Sequence, residues 1–173
     1  MDTFILAEDN PPSSADVSIN ERQATLAKNK KPSLFKVKAQ LLDEGRTDTV
    51  LAATDSMSVR LKVYAEGGEN ELHAHAHEDH FFVVLAGAAE FHGPSDETVI
   101  VGKNEGIMLP KGNLYWFIAT GGEPLVMLRV GSPNSTQQPK IDRINAKGEP
   151  MAGDSKENKT VPVKFKPNAW FGA

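Results

Sequence analysis

Apolar and polar residues alternate along the middle of the chain, as they do in the strands of a sheet. The alternation is clearest in residues 57–65 (MSVRLKVYA), where three aliphatic side chains fall on one face and Arg60, Lys62 and Tyr64 on the other. Gly67-Gly68 then breaks the pattern. These residues predict one strand that ends before the two glycines.

Short segments of the same character continue to residue 130, separated by Gly, Pro and Asn and without a helical pattern between them. Further strands are predicted over residues 34–42, 47–54, 73–75, 80–87, 88–92, 98–101, 106–109, 114–120 and 124–130. Short strands at this spacing predict an all-β protein, folded as an antiparallel sandwich or barrel.

The two ends of the chain differ in composition from this middle part. Residues 1–33 are polar and contain a helix-forming segment over 20–28 that Asn20 would cap. Residues 132–173 are rich in Ser, Asn, Pro, Lys and Gly. The sequence therefore predicts an N-terminal arm over 1–33 with one short helix, a β-barrel over 34–131 and a C-terminal arm over 132–173.

The C-terminal arm carries two large aromatic residues, Trp170 and Phe171, and residues 161–165 (VPVKF) have the composition of an edge strand. Aromatic side chains are costly to leave in water. We therefore expect this arm to lie on the barrel or on a partner subunit.

Composition narrows the classes of protein that the chain belongs to. A hydrophobic content of 39% supports a real core, and a net charge of −4 argues against nucleic acid as a partner. There is no cysteine, which rules out disulfides and thiol chemistry and suits the cytosol. The first residues, MDTFILAEDNPPSS, hold an apolar run of only four. We expect neither a signal peptide nor a membrane span, and a cytoplasmic location.

Four of the five histidines fall within residues 67–87, GGENELHAHAHEDHFFVVLAG. His73 and His75 are two apart, so a strand places both imidazoles on one face, roughly 6–7 Å apart at the backbone. Short polar residues then predict a tight turn, and His80 opens the next strand. Such a hairpin would bring His80 beside the first pair. Three converging imidazoles are what a divalent metal with open coordination positions needs.

This stretch resembles the first motif of the cupin superfamily. In that motif a Gly is followed after five residues by His-x-His, after four more by Glu and after six more by Gly. The spacing holds from Gly67 through His73 and His75 to Gly87, with His80 in place of the glutamate.

A second cupin motif is only partly present. Pro110 and Gly112 match its Pro-x-Gly, but Tyr115 stands at the position of the metal-binding His and Ala119 at that of the Asn. The resemblance covers about residues 57–130. It implies a small single-domain cupin with a degenerate second motif, folded as a double-stranded β-helix (a small jelly-roll barrel) and assembled as a homodimer.

The resemblance implies one divalent transition metal, Fe, Zn, Ni, Mn, Co or Cu, held by His73, His75 and His80. Without the glutamate the site would keep the full +2 charge of the metal and prefer an anionic ligand. Tyr115 is the candidate catalytic residue, as a hydrogen-bond donor or proton carrier. Ligation of the metal as a phenolate and simple packing in the core stay open for Tyr115.

Several neighbours of these residues have two interpretations. Glu78 and Asp79 read as turn residues, and either could orient a ligand histidine. His77 is expected to face solvent or to lie close to the ligands, and His92 to lie on the surface. Five residues are expected in the pocket wall and core: Phe82, Val84, Met108, Phe117 and Leu128. Three cations are candidates for pairing with an anionic substrate, although a solvated sheet face is the commoner role: Arg60, Lys62 and Arg129.

By family analogy, the expected function is metal-dependent chemistry on a small, anionic enol or phenol, and a dioxygenase-like oxidoreductase is the first choice. A metal-dependent isomerase, decarboxylase or cyclase is the alternative within enzymes. A barrel that binds a small ligand without catalysis is the alternative outside them. The expected partner is a small-molecule substrate, with no nucleic acid and no membrane.

Overall fold

The computed structural model describes residues 5–6, 16–65, 70–133, 142–153 and 161–173. The predicted break at Gly67-Gly68 therefore lies outside the described residues. The described residues form helix α1 (Asp16–Ala27) and a series of strands. In chain order the strands are β1 (Ile5–Leu6), β2 (Ser33–Leu34), β3 (Ala39–Glu44), β4 (Arg46–Ala53), β5 (Ser58–Tyr64), β6 (His73–His75), β7 (Asp79–Ala86), β8 (Ala88–His92), β9 (Thr98–Val101), β10 (Gly106–Leu109), β11 (Trp116–Thr120), β12 (Leu125–Ser132), β13 (Arg143–Asn145) and β14 (Lys164–Phe171).

Two antiparallel sheets form the body of the molecule, which confirms the all-β prediction. The larger sheet has the order β10-β7-β12-β5-β4 and the smaller one the order β11-β8-β9. Their facing sides share one buried apolar cluster, with Phe82 and Met127 from the larger sheet and Phe91 and Phe117 from the smaller. Burying each such side chain stabilises the fold by about 1.5–3 kcal/mol.

The outer face of the larger sheet is covered by a second apolar layer. Leu61 and Val63 of β5 point outward and pack in a cluster with Leu42 of β3 and Phe171 of β14. β3 and β14 pair with each other as a two-stranded sheet. The C-terminal arm thus lies on the sheet, although Trp170 stays 48% exposed, with Lys38 Nζ 5.1 Å from its ring centroid.

This second layer reverses one expectation from the sequence. The alternation in β5 is as predicted, but the polar face is not solvated. Arg60, Lys62 and Arg129 line an internal cavity instead. The physical reason is that the aliphatic face is buried against β3 and β14, so the cations point inward, where carboxylates pair with them.

Helix α1 closes one side of that cavity. Ile19 and Gln23 are buried, Ile19 lines the cavity, and the Gln23 Oε1 accepts a hydrogen bond of 3.2 Å from Arg60 Nε. The helix begins at Asp16, so the prediction that Asn20 caps it is wrong. No helix among the described residues has the length and apolar content that crossing a bilayer requires.

Two further details differ from the predictions. Residues 35–38 lie outside the strands, which shortens the strand expected over 34–42 to β3. Met108 was expected in the pocket wall or core, but it is 63% exposed. It lies on β10, the edge strand of the larger sheet, and shares the outer face with Phe81, its partner in register.

Candidate metal centre

Three of the four predicted site residues come from two short strands whose side chains meet in the cavity. The ring centroids of His75 and His80 are 3.9 Å apart, and those of His73 and His75 are 5.3 Å apart. The fourth residue, Tyr115, has its ring centroid 4.5 Å from that of His73. The convergence expected from the spacing is therefore present in the structure.

The strands that carry these histidines are not paired as the expected hairpin. β6 pairs with β13 of the C-terminal arm, in a register that sets Arg143 opposite His75. Its other neighbour is Tyr115, whose backbone exchanges two hydrogen bonds with that of His73, of 3.0 and 2.9 Å. β7 belongs to the larger sheet. The positions of His73 and His75 thus depend on residues 142–145, whereas His80 is held by the larger sheet.

Glu78 is part of the centre, as the side chain that orients His80. It is 2% exposed, and its Oε2 lies 3.0 Å from His80 Nε2. Glu78 and His80 are two residues apart and share a face, as period-2 geometry requires. Asp79, between them, is exposed and accepts a hydrogen bond of 2.8 Å from the Lys111 amide.

A buried arginine binds this carboxylate. Arg129 Nη2 donates to Glu78 Oε2 at 2.5 Å and also contacts His80 Nε2. Burial alone would raise the pKa of Glu78, but Arg129 and the hydrogen bond from His80 hold it below its ordinary value. Burial, together with Arg129, lowers the pKa of His80 to about 3. At neutral pH this centre therefore holds an ionised carboxylate beside a neutral imidazole.

His75 is held by a carboxylate from the C-terminal arm. Its Nδ1 lies 3.0 Å from Asp142 Oδ2, and Asp142 Oδ1 accepts a hydrogen bond of 2.8 Å from the His77 amide. Burial lowers the pKa of His75 well below its ordinary value. With Nδ1–H donating to Asp142, the lone pair of Nε2 is directed away from the carboxylate. Metal-binding histidines in proteins are commonly oriented this way.

Tyr115 contacts His80 through its hydroxyl group, which lies 3.1 Å from His80 Nδ1. Burial raises the pKa of Tyr115 above its ordinary value. This disfavours the phenolate that direct ligation would require and favours a neutral hydroxyl that hydrogen-bonds His80. Trp116, the next residue, stacks on His92 at a centroid distance of 3.8 Å.

His73 lies at the edge of the group. Its Nδ1 is 2.7 Å from the Glu71 carbonyl oxygen and 2.9 Å from Arg143 Nη2. Burial, together with Arg143, lowers its pKa well below the ordinary value. His77 is exposed, in line with the expectation that it faces solvent.

The donor atoms present fit a divalent transition metal. One ligand atom from each of His75, Glu78 and His80 lies within 4.8 Å of the other two. Glu78 Oε1 is buried and has no hydrogen-bond partner among the described residues. Two imidazoles and one carboxylate suit Zn, Fe, Ni, Mn, Co or Cu. A cation at these donors would compete with Arg129 Nη2, which contacts both Glu78 Oε2 and His80 Nε2.

The cavity around the centre has a volume of about 130 Å³. Phe82 and Phe117 form part of its apolar wall, and Met151 from the C-terminal arm also lines it. The charged residues of the lining are five cations and three carboxylates: Arg46, Arg60, Lys62, Arg129 and Arg143, with Asp48, Glu78 and Asp142.

The sequence contained a signal that Glu78 belongs to the centre, although the residue was predicted to lie in a turn. Glu78 shares the parity of His80, which placed it on the cavity face. Asp142 and Arg143 lie 67 and 70 residues from the histidines they contact, in a polar segment without periodicity. Nothing in the local sequence pattern connected them with the centre.

Residues 60–131 match the family model described as the cupin domain. No curated protein matches the chain. Among solved structures, TT1209 from Thermus thermophilus has a TM-score of 0.50 and 18% identity, over 55% of this chain and 90% of that one. A double-stranded beta-helix protein from Klebsiella pneumoniae has a TM-score of 0.49 and 21% identity, over 53% and 80%. KdgF from Halomonas sp. has a TM-score of 0.47 and 20% identity, over 52% and 82%. At these identities the likeness is one of fold alone.

Proposed function

Because residues 60–131 of this chain form a cupin domain, we propose that the protein binds one divalent transition metal and acts on a small anionic molecule. The observation that carries the proposal is the meeting of His75, Glu78 and His80 donor atoms within 4.8 Å of one another. This set keeps two of the histidines expected from the sequence, and Glu78 supplies the carboxylate that the first motif lacks. His73 lies beside the set.

When bound, the metal would act as a Lewis acid and, if it is redox-active, would also exchange electrons with the substrate. Fe, Zn, Ni, Mn, Co and Cu all accept this mixture of nitrogen and oxygen donors. The residues of the chain prepare the site for it. Asp142 fixes the orientation of His75, and burial keeps the imidazoles neutral, so that their lone pairs are available at neutral pH.

An anionic substrate is favoured by the charges around the centre. Arg129 is buried, and its Nη1 has no hydrogen-bond partner among the described residues. A buried guanidinium donor without a partner is costly, and an anion that enters the cavity would satisfy it. The neighbouring Phe82 and Phe117 make part of the wall apolar, and a low local dielectric strengthens such a contact.

Oxygen-dependent cleavage of an enol or phenol is the reaction class that the family resemblance suggests. The cavity of about 130 Å³ suits a single ring or a short acyclic molecule. In such a reaction Arg129 would bind the substrate anion, and Tyr115 would hold a proton at its hydroxyl oxygen next to His80.

A second candidate, an isomerase, decarboxylase or cyclase, is favoured by that same hydroxyl group. A neutral Tyr115 in contact with His80 Nδ1 is placed to give a proton to a substrate carbanion or enolate and to take one back. The third candidate, a barrel that binds a small ligand without catalysis, uses the same cavity and cations but needs no proton carrier.

The experiment is elemental analysis of protein purified without chelator, for the wild type and for His75→Ala, with exposed His77→Ala as the matched control. The expected result is one metal per chain in the wild type and in His77→Ala, and less than a tenth of that in His75→Ala. Equal metal in all three samples would remove the proposal. With metal-loaded protein, oxygen uptake during turnover of small enols and phenols separates oxygenation from proton transfer, which consumes none.

A further inference from the structure

The inner faces of β4, β5 and β12 carry a second group of charges beside the metal centre. Asp48 Oδ2 accepts a hydrogen bond of 2.6 Å from Lys62 Nζ and lies 3.4 Å from Arg60 Nη1. Burial alone would raise the pKa of Asp48, but Lys62 and Arg60 lower it to about 2. The three side chains thus form a buried cluster with one positive charge in excess.

The register of the sheet brings this cluster close to Arg129. Arg60 lies directly opposite Arg129 in the pairing of β5 with β12, and Lys62 lies opposite Met127, two residues from Arg129. Like charges placed opposite each other on neighbouring strands are destabilising. Asp48 and Glu78 offset two of these three largely buried positive charges, which leaves one without a carboxylate.

The whole cavity has the same imbalance. Five cations line it against three carboxylates, which leaves a formal surplus of two positive charges. Each of the carboxylates already has a partner within the chain. Asp48 is bound by Lys62, Glu78 by Arg129, and Asp142 by His75. Without metal, a ligand that neutralises these side chains therefore carries two negative charges, and a bound divalent metal would increase the demand for an anion.

Two donors are placed to bind two separate acidic groups. Arg129 Nη1 has no hydrogen-bond partner among the described residues, and the Lys62 ammonium has three hydrogens, of which Asp48 takes one. Lys62 and Arg129 are diagonal neighbours on one sheet face, roughly 7–8 Å apart at the backbone. A chain of about four carbons with an acid at each end spans such a distance.

The volume of the cavity favours a small ligand. A buried water needs about 10–15 Å³ of such space, so the cavity holds on the order of ten non-hydrogen atoms. A diacid of four or five carbons has about that number. A diacid built on several rings would extend beyond the cavity.

We propose, on the basis of the proposed function, that the anion taken by this cavity is a small dicarboxylate. One carboxylate binds at the metal centre against Arg129, and the second binds against Lys62 beside Arg60. Lys62 then determines specificity, since it distinguishes a diacid from a monoacid of the same chain length. This role leaves the metal-binding residues unchanged, so the two proposals can be tested apart.

The test uses the full chain after treatment with chelator, in a buffer low in chloride, with succinate, butyrate and inorganic phosphate as probes in calorimetric titrations. Succinate is expected to bind at least about tenfold more tightly than butyrate, the effect of one additional charge-assisted hydrogen bond. Lys62→Met is expected to reduce succinate binding to the level of butyrate and to leave butyrate unchanged. Lys62→Arg is expected to retain the preference, and exposed Lys164→Met is the control.

Three results would overturn the inference. They are equal binding of succinate and butyrate by the wild type, an unchanged preference in a folded Lys62→Met protein, or phosphate binding as tight as that of succinate. Circular dichroism of each variant verifies folding, and Lys62→Arg repeats the comparison if Lys62→Met is unfolded, with loss of the preference in that variant counting against the inference. If metal binds but succinate is not preferred, the inference alone fails. If succinate is preferred but no metal binds, the proposed function fails instead.

Discussion

Replacement of Arg129 by Met tests whether the guanidinium group and a metal compete for the same donor atoms. The guanidinium group donates to Glu78 Oε2 at 2.5 Å and contacts His80 Nε2, so it lies where a metal held by these two side chains would bind. Met keeps an unbranched, mostly apolar stem and has no charge. In chelator, Arg129→Met leaves the Glu78 carboxylate buried without its cation. With metal, the same change removes a competitor for the donor atoms.

The expected loss of stability in chelator can be estimated from the burial of the two side chains, and its recovery with metal from the occupancy of the site. The side chains of Arg129 and Glu78 are 5% and 1% exposed, and removal of one partner from a buried pair costs about 3–5 kcal/mol. At about 2–4 °C per kcal/mol for a chain of this length, the melting temperature in chelator falls by about 6–20 °C. A metal at 1,000 times its Kd returns about 4 kcal/mol, which recovers most of that loss.

Thermal unfolding followed by circular dichroism, with chelator and with added Zn²⁺, measures both effects. The metal-induced rise in melting temperature is expected to be larger in Arg129→Met than in the wild type. The double variant Glu78→Gln/Arg129→Met is the control. It is expected to be more stable in chelator than Arg129→Met alone and to gain little from metal. A fall of less than about 2 °C in chelator, or an equal rise with Zn²⁺ in the wild type and Arg129→Met, would refute the reasoning.

Three further predictions concern neighbours of the centre. Tyr115→Phe is expected to cost about 1 kcal/mol of unfolding free energy and to keep its metal, and loss of the metal would show instead that Tyr115 is a ligand. Asp142→Asn is expected to weaken metal binding in a competition titration by about 10–100-fold, with exposed Asp43→Asn as the control, and equal affinities would show that Asp142 does not orient His75. In chelator, the unfolding free energy is expected to fall as pH drops below about 6.5, by about 1.4 kcal/mol per pH unit for each buried histidine. Burial lowers the pKa of His80 to about 3 and the pKa values of His73 and His75 below their ordinary value. Below pH 6.5 the unfolded chain therefore binds protons that the folded chain does not. Urea unfolding at pH 5.5, 6.5 and 7.5 measures that slope, and equal values at pH 5.5 and 6.5 would contradict it.

Much of the fold could be predicted because strand signals are local. The alternation in β5 and the Gly, Pro and Asn between strands placed most of the barrel correctly. The face of β5 that points inward could not be predicted in the same way. That choice depends on β3 and β14, which cover Leu61 and Val63 from distant parts of the chain. Alternation alone identifies two faces, and the covering layer decides which of them lies inside.

In the candidate site too, local spacing predicted some residues, and others depend on distant parts of the chain. The spacing of His73, His75 and His80 was sufficient to predict that their imidazoles converge, and the structure brings them together. Their role as metal ligands stays a prediction. Asp142 reaches the site because the adjacent strand β13 pairs with β6, and no local sequence pattern predicts that pairing. Contacts of this kind are set by where the C-terminal arm lies on the barrel, and a single sequence carries little information about that.

The most direct test of the metal centre is diffraction from a crystal at the absorption edge of the metal found by elemental analysis. The result predicted here is one anomalous peak per chain, in contact with His75, Glu78 and His80. Absence of a peak, or a peak that none of these three side chains contacts, would contradict the proposed centre.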